Sequence, residues 1–171
     1  MTDDKVREAL EGAIGYLTKN PNDALATDSF ATAVMEDGLR CVVRGPDGFE
    51  THTDMVTGVG GANSAPSPGW LLRAATASCV ATLITMKAAL EQVELERLEV
   101  TVDSESNDLG ILGIDGSVPS GPLSVSVRVK LGSNGTDPEK LRGIAQWAHD
   151  HCPVTDATKR SVPIQLETEI V

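Results

Sequence analysis

Between Arg73 and Lys87 the chain runs for thirteen residues, Ala74 to Met86, without a single charge. Ser67 and Pro68 stand ahead of this run as an N-cap and a first helical residue, so the pattern predicts a helix from about Pro68 to Val93. A helix that is apolar all round has to be buried on all sides. One domain of 171 residues with thin sheets has little material to do that. The run therefore points to a second chain that supplies part of the cover. Its length falls short of the ~20 apolar residues a membrane span needs, so it reads as core.

The elements around it are shorter. Residues 3–18 place Val6, Leu10, Ala13, Ile14 and Leu17 on one helical stripe, capped by Thr2 or Asp3 and ended by Asn20-Pro21. Ser29–Met35 and Leu39–Arg44 alternate as strands about a Glu36-Asp37-Gly38 hairpin, and Gly45-Pro46-Asp47-Gly48 leads to a third strand over Phe49–Met55. After the long helix, Arg97–Ser104 and Leu123–Leu131 alternate as strands on either side of an irregular, Gly/Ser/Pro-rich stretch, 107–121. Thr136-Asp137-Pro138-Glu139 opens a second core helix that runs to about Cys152 and stops at Pro153; Ile164–Ile170 reads as a closing strand. The order is α+β rather than alternating βαβ. We expect an N-terminal helix and linker over 1–27 and one domain over 28–171.

Composition removes several function classes. Asp and Glu number 25 against 14 Lys and Arg, a net charge of −11, which argues against a chain that grips a phosphate backbone. The two Trp, one Tyr and two Phe are too few for base-stacking platforms. No nucleic-acid or membrane partner is expected. The opening MTDDKVREALEG has no apolar h-region, so no secretory leader is read and the expected compartment is the cytoplasm. Gly58 to Pro68 could be taken for a phosphate cradle, but no Lys-Ser/Thr pair follows the glycines, so a flexible connector is the better reading.

Chemistry then rests on Cys41, Cys79 and Cys152, too few and too odd in number for a disulfide scaffold. In a reducing compartment a cysteine is a small buried hydrophobe or a reactive thiol. Cys41 alternates with Arg40 and Val42 in a strand and reads as packing. Cys79, in mid-helix, lacks help from a helix N-terminus, so a reactive thiol there needs a cation from elsewhere. Cys152, read as the end of a helix, faces partial negative charge, which raises a thiol pKa and suits it to a second rather than a first attack. A metal set from His149, His151, Cys152 and His52 fails on spacing, since helical residues two apart face different ways. A Cys-His hydrolase lacks any supporting signature. The histidines read as a solvated helix end.

Asp54, Gly60-Gly61, Pro66-Ser67-Pro68, Leu71-Leu72, Ala74-Ala75 and Cys79, followed much later by Cys152-Pro153, resemble the OsmC/Ohr family, named for osmotically induced protein C and organic hydroperoxide resistance protein. The resemblance covers about residues 28–171. It implies an intertwined homodimer with two long helices back to back and sheets from both chains around them. It also implies a two-cysteine peroxidase: Cys79 attacks an organic hydroperoxide, Cys152 resolves the sulfenic acid to a disulfide, and an external dithiol reduces it, with no metal, haem or flavin. One departure stands out. The family's peroxidases carry a Glu after the helix-opening proline, paired with an Arg that activates the thiolate; here that position is Gly69. Arg40 is the candidate for the activating cation, while Arg73 lies about 120° around the helix from Cys79. The alternative is a non-enzymatic relative that binds a small apolar or thiol ligand at the dimer interface, and a purely structural dimer is the third reading.

Overall fold

The computed structural model describes residues 2–171; the side chains of Thr2 and Asp3, the expected caps of the first helix, lie outside the described residues. The chain divides into two compact units. One is Glu8–Ala74; the other joins the residues up to Arg7 with Ala75–Val171. The α+β class read from the sequence is what the chain adopts.

Helix α1 (Thr2–Lys19) follows the expected apolar stripe and leaves Ile14, Tyr16 and Leu17 exposed. In the Glu8–Ala74 unit, β1 (Thr32–Asp37), β2 (Arg40–Arg44) and β3 (Glu50–Thr53) form an antiparallel meander. Gly38 takes a left-handed φ of +55° at the first turn, where the register slips between Met35 and Asp37; the hairpin signal rests on that freedom. β1 begins at Thr32, later than the alternation suggests, because its partner Arg44 is the last residue of β2. β3 stops at Thr53 because Asp54 turns its carboxylate into the following loop.

That loop corrects the flexible-connector reading. Asp54 is 1% exposed, and its carboxylate accepts the amides of Met55 (2.7 Å), Ala62 (3.2 Å) and Ser64 (2.9 Å) and the Ser64 hydroxyl (2.8 Å). Gly61 lies so close to the Met55 carbonyl that a Cβ there would meet its oxygen at 2.0 Å. The glycines let backbone approach backbone around a buried anion, which is a structural reason for a Gly-rich loop without any phosphate.

Helix α2 (Pro68–Leu90) starts as read but ends at Leu90 rather than Val93. Gln92 enters the left-handed region (φ +54°), and the Val93 amide closes on the Ala88 carbonyl. By length and composition α2 could cross a bilayer. In this fold its buried residues Thr76, Val80, Ile84 and Ala88, four apart, form one stripe, joined by Ala89 at the C-terminal end. β4 (Arg97–Glu105) and β5 (Ser124–Gly132) pair antiparallel, with Leu98 opposite Leu131, Val100 opposite Val129 and Val102 opposite Val127. Leu98, Val100, Val127, Val129 and Leu131 pack against a core of Val80, Ile84, Ala88, Val93, Ile144, Ala148 and Cys152. Each large aliphatic side chain buried here contributes about 1.5–3 kcal/mol. The stretch between β4 and β5 holds one short turn of helix, α3 (Asp108–Ile111), capped by the Asn107 side chain on the Leu109 amide.

Helix α4 (Pro138–Asp150) opens on Asp137, whose carboxylate accepts the Glu139 amide, with Pro138 first in the helix. Two expectations fail after it. Pro153 does not only terminate a helix; it opens α5 (Pro153–Lys159), so Cys152 is an N-cap and not a helix end. The closing strand does not form: residues 160–171 carry no regular structure, and Ile164, Leu166 and Ile170 are 92%, 90% and 89% exposed. An alternating segment becomes a strand only when a ladder partner takes its backbone groups, and no strand of this chain pairs with it.

Candidate functional site

The two cysteines of interest meet at the junction of α2 with the α4–α5 turn. Cys79 follows Thr76 by one helical turn and is half-buried; Cys152 is wholly buried in the core. Their thiols are free, and Cys79 packs against the core cluster that holds Cys152. Sequence proximity does not create this pairing. It follows from α2 and α4 sharing one core, in which Val80 and Ile84 meet Ile144, Ala148 and Cys152.

The sulfurs sit in unequal fields. The α4–α5 turn reads Cys152-Pro153-Val154-Thr155, and because proline has no N–H, the first amides available to the sulfurs are those of Val154 and Thr155. The Thr155 amide donates to Cys152 Sγ at 3.4 Å. The Val154 amide helps to hold both thiols down. Burial pushes the Cys79 thiol up, and its bond to Cys152 adds to this against the Val154 amide. Burial also pushes the Cys152 thiol up, but the Thr155 side chain and amide, the Cys79 thiol and the Val154 amide outweigh it and leave Cys152 below the ordinary thiol range. Thr155 Oγ1 is buried and finds no hydrogen-bond partner of ordinary geometry among the described residues, so the amide is the firmer contact. The expectation that Cys152 is raised by a helix C-terminus is thus reversed. The missed signal was Pro153 itself, which reads equally as a first helical residue.

A cavity of about 300 Å³ is lined by Thr76 and Thr155, each three residues from one of the cysteines, and by Leu123, Val125, Val127 and His149 among others; neither cysteine lines it. The histidines are more engaged than a solvated end suggests. His149 Nε2 accepts from Lys159 Nζ at 2.9 Å, while His151 stacks on Trp147 with centroids 4.2 Å apart. The Lys87 ammonium lies 5.2 Å from the Trp147 ring centre. Among the described residues no three His, Cys, Asp or Glu side chains gather as metal ligands do.

In the Glu8–Ala74 unit, Arg40 is held by the Glu36 carboxylate at 2.9 Å and the Ser64 hydroxyl at 2.7 Å, which ties it to the Asp54 loop. His52 Nε2 lies 3.5 Å from Glu36 and 3.8 Å from Glu50. Cys41 sits in β2 between Met35 and Thr53 of the flanking strands. Gly69 is open: the nearest atoms to a Cβ there are Arg73 Nη1 at 3.8 Å and Ser67 Oγ at 3.9 Å.

The family model of OsmC-like proteins matches residues 61–167. No curated protein is significantly similar to the chain in sequence. Solved structures are similar in fold. An OsmC-like protein from Mycoplasma pneumoniae superposes with a TM-score of 0.67 at 12% identity, over 79% of this chain and 89% of that one. An organic hydroperoxide resistance protein from Legionella pneumophila gives 0.58 at 20% identity, over 79% and 91%. Another from Elizabethkingia anophelis, with thiocyanate bound, gives 0.59 at 20%, over 80% and 91%. With its characteristic helix, paired cysteines and more than half its length inside the family pattern, the chain belongs to the OsmC-like proteins.

Proposed function

We propose that this protein is a thiol-dependent peroxidase that reduces organic hydroperoxides, with Cys79 peroxidatic and Cys152 resolving. The observation that carries the reading is the packing of two free cysteines in one core, one half-exposed and one sealed. The Cys79 sulfur attacks the distal oxygen of ROOH, the O–O bond breaks, ROH leaves and Cys79 becomes a sulfenic acid. The Cys152 sulfur then displaces water from that sulfenic acid to give a disulfide, and an external dithiol reduces it. No bound cofactor takes part. The expected compartment is the cytoplasm, and Arg40 is the side chain we assign as the activating cation.

The working form in this reading is a homodimer. Two features support it. Outside its buried stripe α2 remains half-exposed although it has no charge from Ala74 to Met86, and the alternating segment 164–170 lacks a strand partner within the chain. Static light scattering is expected to give twice the 18.0 kDa of one chain.

A second reading, a non-enzymatic relative that holds a small apolar or thiol ligand at the dimer interface, draws on Gly69 in place of the family's Glu and on the upward push that burial gives Cys79. Stopped-flow mixing of reduced protein with cumene hydroperoxide separates the two. The peroxidase loses two thiols per chain, and Cys79→Ser stops this altogether. A rate no faster than that of a free small-molecule thiol would leave the binding reading in place.

A further inference from the structure

The cavity bordered by Thr76 and Thr155 lies wholly within the unit that contains Ala75–Val171, and the peroxidase reading makes no use of it. We propose that it binds a small monocarboxylate with a short apolar tail, the carboxylate held by the Lys159 ammonium and the Thr155 hydroxyl. The inference stands on the walls of the cavity and does not depend on the peroxidase reading.

Two polar groups in these walls have bonding capacity to spare. Thr155 is 7% exposed and its Oγ1 is buried, yet no described residue offers it a hydrogen bond. A buried hydroxyl left unpaired is costly, and one that borders a cavity is placed to be satisfied by what enters. Lys159 stands at the exposed rim, where its ammonium donates to His149 Nε2 at 2.9 Å. A ring nitrogen brings no negative charge, so that bond leaves the ammonium charged and with two further N–H groups to give. Thr155 and Lys159 are four residues apart in α5, which puts them on one face of the helix. Other donors nearby are already used: the Thr158 hydroxyl reaches the Val154 and Thr155 carbonyls at 3.4 and 2.8 Å, and the Thr155 amide reaches Cys152 Sγ.

The facing wall is apolar. Leu123 and Val125 are 53% and 43% exposed, while Val127 continues the wall down to the core. Among the described residues no Asp or Glu lines the cavity, although the chain carries a net charge of −11. Ser124, also in the wall, donates its hydroxyl to Glu105 of β4 at 3.2 Å. A pocket with one cation, one unpaired hydroxyl and an aliphatic wall suits a singly charged head on a hydrocarbon tail. A phosphate, with more charge and more oxygens, calls for donors that these two groups do not supply. At ~30 Å³ per water in the liquid, the 300 Å³ takes a ligand of about ten non-hydrogen atoms or fewer, the bulk of a short-chain acid.

The test is calorimetric titration of the reduced full-length protein with hexanoate, beside hexan-1-ol as the uncharged ligand with the same tail. One hexanoate per chain is expected, bound about tenfold or more tighter than the alcohol, as a hydrogen bond to a charged group implies. Lys159→Gln is expected to bring hexanoate down to the level of the alcohol, and Lys159→Arg to keep most of the affinity. Thr155→Val is expected to weaken hexanoate by about two- to tenfold. Val125→Trp, a change at an exposed strand position that fills the apolar end, is expected to abolish binding of both ligands. Cys79→Ser is expected to bind as wild type does, because Cys79 does not line the cavity. Equal affinity for acid and alcohol, or unchanged binding by Lys159→Gln, overturns the proposal. Loss of binding in Cys79→Ser moves the ligand to the thiols and overturns it too. So does a wild type that binds no hexanoate, the result expected if a second chain fills the cavity. A protein that binds hexanoate in this pattern but does not react with cumene hydroperoxide keeps this inference and loses the peroxidase reading.

Discussion

The middle of α2 and the α4–α5 turn each hold one cysteine of the pair, and they treat it oppositely. In the helix the amides of Cys79's own turn are committed to the helical ladder, and burial, the largest effect, pushes its thiol up against the Val154 amide. In the turn, proline and the start of α5 leave amides uncommitted, and they face a sulfur. The same residue type thus has its thiol pushed up by burial in one region and held down by the Thr155 and Val154 amides in the other.

The Asp54 loop applies the same physics to a carboxylate. Three amides and a hydroxyl converge on a buried oxygen pair, and the Ser64 amide and hydroxyl lead in holding Asp54 below the usual carboxylate range. Turns that spend glycine or proline to free their amides appear twice in this fold; one holds the Asp54 carboxylate and the other the Cys152 sulfur.

The sharpest way to break the comparison is to loosen what presses the two regions together. Ile84 is fully buried between the sulfur-bearing elements and the β4–β5 sheet, and Ile84→Ala is expected to cost about 2–5 kcal/mol in urea unfolding. A cost below about 1 kcal/mol would mean that α2 packs far less tightly than described. The turn is tested by a smaller change. Thr155→Pro removes the amide on Cys152 while keeping a residue tolerated in a first helical turn, and is expected to move the Cys152 thiol pKa upward, read from the pH dependence of thiolate absorbance at 240 nm. Thr155→Val is its control: with the amide kept and a buried, unpartnered hydroxyl removed, the Cys152 thiol should move up less than in Thr155→Pro and the Tm should hold or rise.

The smallest effect is expected in the carboxylate loop. Asp54 has its folded-state pKa lowered, so its contribution to stability is complete above the unfolded carboxylate pKa and is lost as pH falls through the folded one. Wild type should therefore lose Tm on acidification over that window more steeply than Asp54→Asn. Parallel Tm–pH curves for the two proteins would show that the loop does not depend on the charge.

Much of this was legible in the residues. Periodicity located α1, α2 and α4, the strands of both hairpins and the first turn, and the Cys79 and Cys152-Pro153 pattern pointed to the family that residues 61–167 match. What was not legible has a common cause. Pro153 ends one helix and begins another, and only the path of the backbone decides which end of a helix Cys152 occupies. The alternation at 164–170 specifies a surface that fits a strand but cannot supply the neighbour, so the segment carries no ladder. The Gly-rich loop looked slack because its organiser, Asp54, lies outside the glycine run and acts through backbone amides that a sequence does not display.

The sequence by itself determined which segments are helical or extended, that α2 has to be enclosed, and which two thiols deserve notice, because these follow from side-chain periodicity and residue chemistry alone. Tertiary structure decided that the two cysteines share one core, which of them is reachable, and which receives the amides. Those properties belong to distances between segments and to the direction of N–H groups, and they exist only once the α4–α5 turn has been laid against α2.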